Sequence, residues 1–186
     1  MKTKSRTIPG IQVGDIGLVN GRTWLARAIK FFMNIFRIIL KLPRRKLYNH
    51  AFLIIDVWGN LYVAEALAKG ITIRPWKSSP YNGSNRIKML RLKDELNKKE
   101  KEEISKYCIS FALEPTRYDI FNFFFQILLI LFGRWYGPSG EEAKKRLYCS
   151  EAVATWINEI RPGIFEKPEA TNPLHIDMNE NLKEVR

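Results

Sequence analysis

The sequence predicts an α+β domain, in which a small antiparallel sheet is packed against helices. Three observations predict it. Residues 50–66, HAFLIIDVWGNLYVAEA, read as two β-rich runs around a turn. Shorter strand-like runs stand at 16–19, 71–74 and 86–92. Stretches 24–42, 94–112 and 148–160 carry apolar residues at the three-four spacing of a helix face. With 186 residues, 46% of them hydrophobic, the chain can bury the core of one globular domain, 1–186.

In chain order, the basic start MKTKSRTIPG runs into Pro9-Gly10 instead of an apolar core, so no secretory signal is read and a cytoplasmic location is expected. Val13-Gly14-Asp15 leads into the strand Ile16-Gly17-Leu18-Val19. Asp15 is a turn residue or, in the sharper reading, a support for a site. In 24–42, Leu25, Ala28, Ile29, Phe32, Ile35, Phe36 and Ile39 form the expected core stripe. Arg27, Lys30, Asn34, Arg37 and Lys41 form the opposite face. Phe31, Met33, Ile38 and Leu40 are apolar beyond that stripe, and Arg44-Arg45-Lys46 follows Pro43. Residues 24–46 therefore read either as a packed helix with a solvated basic side or as a peripheral contact with an anionic membrane.

Beyond the hairpin, Gly70 precedes the strand Ile71–Arg74, and Lys77–Asn85 is a polar loop. A strand at 86–92 and a helix at 94–112 follow. Ile104, Tyr107, Cys108 and Phe111 form the helix's apolar face, with Cys108 a core residue. Asp119 is placed to cap an apolar helix over 120–132, which is shorter than the roughly 18–20 residues a spanning helix needs. It reads as a buried helix or, alternatively, a membrane-dipping or substrate-tunnel wall. Residues 133–140 form a loop. Cys149, Ala152, Val153, Trp156, Ile157 and Ile160 share the inward face of the last firm helix, which Pro162-Gly163 ends. The tail has little regular structure, and His175 reads as a surface or loop histidine.

The hairpin brings chemistry with it. His50, Phe52 and Ile54 share one face of the first strand; Leu61, Val63 and Glu65 share one of the second. A two-residue turn at Trp58-Gly59 pairs Phe52 with Glu65 and leaves His50 one diagonal step away, roughly 7–8 Å. A four-residue turn puts His50 opposite Glu65, and a three-residue turn separates them by face. A histidine oriented by a carboxylate is half of a nucleophilic triad. Cys149 opens a helix, whose unpaired amides and dipole favour a thiolate. An inward-facing cysteine is also ordinary core, and both readings stand on the residues alone.

Net charge +12 favours an anionic partner. Two cysteines make no disulfide framework, and two histidines argue against a multi-histidine metal site. No zinc-ligand spacing, Walker-type loop or dinucleotide fingerprint is present, so no metal or cofactor is expected. Nucleic acid is disfavoured as a partner, because the aromatics concentrate in apolar helices instead of alternating with basic residues.

Gly14-Asp15, His50, Glu65-Ala66, Gly70-Ile71, Tyr118-Asp119, Tyr148-Cys149-Ser150-Glu151 and Asn172-Pro173, in this order, resemble the circularly permuted papain-like enzymes. These are the YiiX-like relatives of the NlpC-type cell-wall peptidases. The resemblance spans roughly 13–173. The lecithin retinol acyltransferase-like branch, with its histidine as third polar residue and its Asn-Cys-Glu-His-Phe motif, matches less well. This chain departs from the family in carrying Asn49-His50 where Ser-His is common.

The resemblance implies a permuted papain-like fold with the sheet against the Cys149 helix. It implies a cysteine hydrolase of amide or ester bonds, an amidase or thiol peptidase. Cys149 would be nucleophile, His50 base and acid, and Glu65 the group holding His50. Tyr148 and Asp15 are the candidates for oxyanion or supporting roles. The substrate would be a cell-wall peptide or a lipid amide or ester. The competing reading is a non-catalytic basic module that binds an anionic membrane or polymer, with Cys149 and His50 as packing residues.

Overall fold

The strand-like runs form β1 (Ile16–Val19), β2 (His50–Val57), β3 (Asn60–Leu67), β4 (Gly70–Pro75), β5 (Ile87–Leu92) and β6 (Leu182–Glu184). The helices are α1 (Trp24–Ile39), α2 (Lys98–Leu113), α3 (Cys149–Ile160) and α4 (Pro173–Met178). The computed structural model describes residues 10–22, 24–39, 41, 44, 46–67, 69–113 and 147–185, with backbone alone at 24, 25, 28, 29, 32 and 36. The expected helix over 120–132 and loop over 133–140 lie outside the described residues.

Every recorded strand pairing is antiparallel, in the order β4-β3-β2-β1-β5-β6. Mixed helices and this sheet make the protein α+β. Val57 pairs with Asn60, so Trp58 and Gly59 alone form the hairpin turn. Both have positive φ, 52° and 77°. That is the conformation whose twist matches a two-residue hairpin.

Period-two alternation sorts the strands into two faces. Ile16, Leu18, Ala51, Leu53, Ile55, Ala64 and Ala66 pack with Ile104, Cys108 and Phe111 of α2 and with Ala152, Val153 and Trp156 of α3. Cys108 is thus core. Phe52, Ile54 and Val63 look the other way, onto Trp76 and Met89. The Phe52 ring crosses directly over Gly17, where any Cβ would collide with it, so β1 carries a glycine at that point.

Three expectations change. The helix expected from residue 94 begins at Lys98, because Asn97 is its cap. The Asn97 side chain accepts from Glu100 N at 3.0 Å, and Asn97 N donates to the Glu100 carboxylate at 2.7 Å. The tail is ordered. Asn172 accepts from Leu174 N and His175 N at the start of α4, and β6 pairs with β5. His175 is half-buried in the first turn of α4 rather than on a loose surface. Finally, α1 does not sit on its whole expected stripe. Among its described side chains Ala26 and Met33 are buried and Met33 packs on Leu174, whereas Ile39 is 48% exposed and Ile35 half-buried. Lys30, expected on the solvated side, donates to Asn20 Oδ1 and Gly21 O at 2.8 and 2.9 Å. Helical period fixes which residues share a face; these tertiary contacts decide which face meets the body.

Candidate active site

The β2–β3 register carries one histidine and one carboxylate to the same place. Leu53 pairs with Ala64, which sets Phe52 against Glu65 and His50 one diagonal step off. His50 Nε2 and Glu65 Oε2 are 2.6 Å apart. The Glu65 side chain is fully buried and that of His50 is 15% exposed. A bare carboxylate in that position would be costly. Tyr81 donates its hydroxyl to the same Glu65 oxygen at 2.6 Å, and the Arg74 guanidinium stands 2.8 Å from Glu65 Oε1. Burial works to raise the Glu65 carboxyl; the bond from His50, its charge, Tyr81 and Arg74 hold it below the usual value. Burial and then Glu65 push the Tyr81 phenol far up, so it stays a donor.

Tyr81 also fixes the site sterically. Its ring stacks on Phe52, with centroids 4.6 Å apart and 7° between planes, and lies 6.2 Å from the His50 ring. The Gly17 gap therefore seats Phe52, Phe52 seats Tyr81, and Tyr81 helps to hold Glu65.

α3 begins at the start of β2. Cys149 is its first residue, 5% exposed. The Cys149 thiol lies beside the His50 side chain, and the two act on each other's charge. Since Nε2 serves Glu65, Nδ1 is the nitrogen left for sulfur. Burial acts to raise the thiol. The His50 charge and hydrogen bond outweigh it, helped by the amides of Ala51 and Ser150, and the thiol falls below its ordinary value. Burial likewise acts to lower His50, but the thiolate and Glu65 lift it to about 10. The charged form of each group thus favours the charged form of the other, in a site nearly closed to water. By contrast, burial pushes the Cys108 thiol well up.

The structure therefore brings together Cys149, His50 and Glu65. It does not bring Asp15 to them. Asp15 is fully buried at the other end of β1 from Val19, the partner of His50. There its carboxylate takes Arg91 Nε at 2.6 Å, Arg91 Nη2 at 2.9 Å and Gln12 N at 2.9 Å. It acts as a structural ion pair, which the turn pattern around it did not show because Arg91 is remote in sequence. Tyr148 is the cap residue of α3; its hydroxyl donates to Thr171 O, and its backbone N–H lies 3.4 Å from the Glu151 carboxylate. Its side chain ties α3 to the segment before α4. Tyr81 and Arg74 were missed by sequence reading. The loop 77–85 and the strand 71–74 gave no sign that either side chain returns to Glu65.

Comparison of folds bears on this architecture. The crystal structure of the metalloprotein yiiX from Escherichia coli O157:H7 is similar, with a TM-score of 0.51 and 14% identity over 94% of this chain and 96% of that one. The fold is YiiX-like. At this identity the likeness concerns the fold alone. No family model matches the sequence, and no curated protein matches it. Within the YiiX-like fold of this chain, the residues around His50 are established by its own geometry. No helix among the described residues is long and apolar enough to cross a membrane.

Proposed function

We propose that the protein is a cysteine hydrolase acting by acyl transfer on amides or esters, on a permuted papain-like scaffold. The observation that carries this reading is His50 held between the Cys149 thiol and the buried Glu65 carboxylate. The Cys149 thiolate attacks the substrate carbonyl carbon, forming a C–S bond and an oxyanion. The Cys149 backbone N–H, free of an intrahelical partner at the first turn, is placed to receive that charge. As the oxyanion collapses, the C–N or C–O bond breaks and the leaving group takes the His50 Nδ1 proton. A thioester remains. Water then attacks it while His50 accepts the water's proton, the acid departs, and the thiolate–imidazolium pair is restored. Glu65 orients the ring throughout and stabilises it whenever it is charged, with Tyr81 and Arg74 fixing the carboxylate.

The structural neighbour is described as a metalloprotein. The donors here do not fit such a role: among the described residues no three His, Cys, Asp or Glu groups converge to hold a metal ion. Glu65 is engaged by His50, Tyr81 and Arg74.

The test is an activated ester that acylates a competent thiolate. Brief incubation and mass spectrometry should place the acyl group on Cys149 and not on Cys108, with turnover of the adduct in water. Cys149→Ala should abolish both while retaining the fold. A folded Cys149→Ala variant that hydrolyses the ester at the wild-type rate would overturn the proposal.

A further inference from the structure

The loop that joins β1 to α1 stands beside the reactive end of β2. Val19, the last residue of β1, pairs with His50. Two residues on, Gly21 N donates to Asn49 Oδ1 at 2.6 Å, immediately before His50. Lys30 of α1 closes the loop from the helix side, donating to Asn20 Oδ1 and Gly21 O at 2.8 and 2.9 Å. Both of these oxygens are neutral, so the chain solvates the Lys30 ammonium without neutralising it.

The charges beside it have the same sign. Arg22 follows Gly21 directly, and Arg27 lies three residues before Lys30, its neighbour on the helix surface. Arg22 and Arg27 are exposed, and Lys30 is partly buried. The chain has no Asp or Glu between Asp15 and Asp56. Among the described residues no carboxylate pairs with Arg22, Arg27 or Lys30. The carboxylate of the site itself, Glu65, is already taken by His50, Tyr81 and Arg74. Burial, then the charges of Arg27 and Arg22, hold the Lys30 ammonium below its usual value. Three cations gathered at one loop repel one another, and an anion that settles among them relieves the repulsion. A guanidinium offers paired N–H donors that match the two oxygens of a carboxylate.

We propose that Arg22, Arg27 and Lys30 form a subsite for a substrate carboxylate, so that the amide or ester cut at Cys149 is an acidic one. The inference rests on the hydrolase reading and adds the substrate class to it. Lys30 fixes the loop, and the two arginines present their donors to the ligand. The subsite stays in register with the thiol because the loop is bonded to Asn49, next to His50.

The test uses the full chain and two alkylating reagents that differ only at the far end, N-iodoacetyl-6-aminohexanoate and its primary amide. Each arm carries its end group well beyond the reacting carbon. The quantity read by mass spectrometry is the ratio of the two Cys149 labelling rates within each protein, so that any change in the thiol cancels. In the wild type at low salt the carboxylate reagent should label about fivefold faster, and the ratio should fall toward one at about 1 M salt. Arg22→Gln with Arg27→Gln should bring the low-salt ratio down by about threefold or more. Lys98→Gln with Lys99→Gln removes the same charge from the start of α2, the helix whose Lys101 meets Gln12 at the opposite end of β1, and should leave the ratio at the wild-type value. Rapid labelling by both reagents at equal rates, or a ratio that falls equally in both double variants, would overturn the subsite and leave the hydrolase reading standing. Slow labelling of Cys149 by both reagents, matching Cys108, would overturn the hydrolase reading and the subsite with it.

Discussion

Replacing Glu65 by glutamine removes one charge and leaves the shape of the site. The amide oxygen can still accept from His50 and Tyr81, at the position where Glu65 Oε2 now lies 2.6 Å from each. The amide nitrogen then faces Arg74 Nη2, which is 2.8 Å from the present oxygen, so two donors oppose each other. The Arg74 side chain is 32% exposed and can turn to water, which limits the loss. A hydrogen bond to a charged group contributes roughly 1.5–3 kcal/mol and one to a neutral group roughly 0.5–1.5. The His50 bond therefore weakens by about 1–2 kcal/mol. Because about 1.4 kcal/mol corresponds to one pKa unit, the imidazolium should lose about one unit of its elevation. The alkaline limit of the thiolate–imidazolium pair should move down by about the same amount. Followed by NMR against pH, His50 of Glu65→Gln should therefore titrate about one unit below His50 of the wild type. Urea unfolding should show a loss of about 1–3 kcal/mol. A folded Glu65→Gln whose His50 titrates where it does in the wild type would refute the coupling of Glu65 to the imidazolium.

Asp15→Ala tests the separation of fold from site. It strands Arg91, whose side chain is 17% exposed, and should cost about 3–5 kcal/mol in urea unfolding, while Cys149 alkylation in the folded protein stays at the wild-type rate. Gly17→Ala drives a methyl group into the Phe52 ring. It should cost about 1–3 kcal/mol or more and, by displacing the Tyr81 stack, also slow Cys149 alkylation; a loss of stability with unchanged reactivity would detach Tyr81 from the site.

The hairpin is the part of this molecule most legible in sequence. Alternation placed His50 and Glu65 on one face, and the structure selects the two-residue turn from the alternatives that the residues left open. The helix of Cys149 was legible too, from its apolar spacing and the Pro162-Gly163 stop. Tyr81 and Arg74 were not, since each reaches Glu65 by loop or strand geometry that no local pattern encodes. Asp15 misled for the same reason: its partner Arg91 lies on β5. β6 lies in a tail whose own composition is unremarkable, and its strand exists because the edge of β5 offers unpaired backbone groups. The exposure of Ile39 on α1 escaped periodicity because the helix's excess of apolar residues suits more than one face.

The central claim is that Cys149 is a thiolate held by the His50 imidazolium. It is tested most directly by the rate of Cys149 alkylation against pH, read by mass spectrometry in the wild type and in His50→Ala, with Cys108 as internal control. His50 is raised to about 10 and the thiol is lowered. The reactive pair should therefore persist from its acid limb up to about pH 10, and labelling should be rapid well below the free thiol value of about 8.5. In His50→Ala the burial of Cys149 is unopposed, so labelling should collapse toward that of Cys108. Slow labelling of wild-type Cys149, matching Cys108 and unchanged in His50→Ala, would contradict the claim and make Cys149 a packing residue.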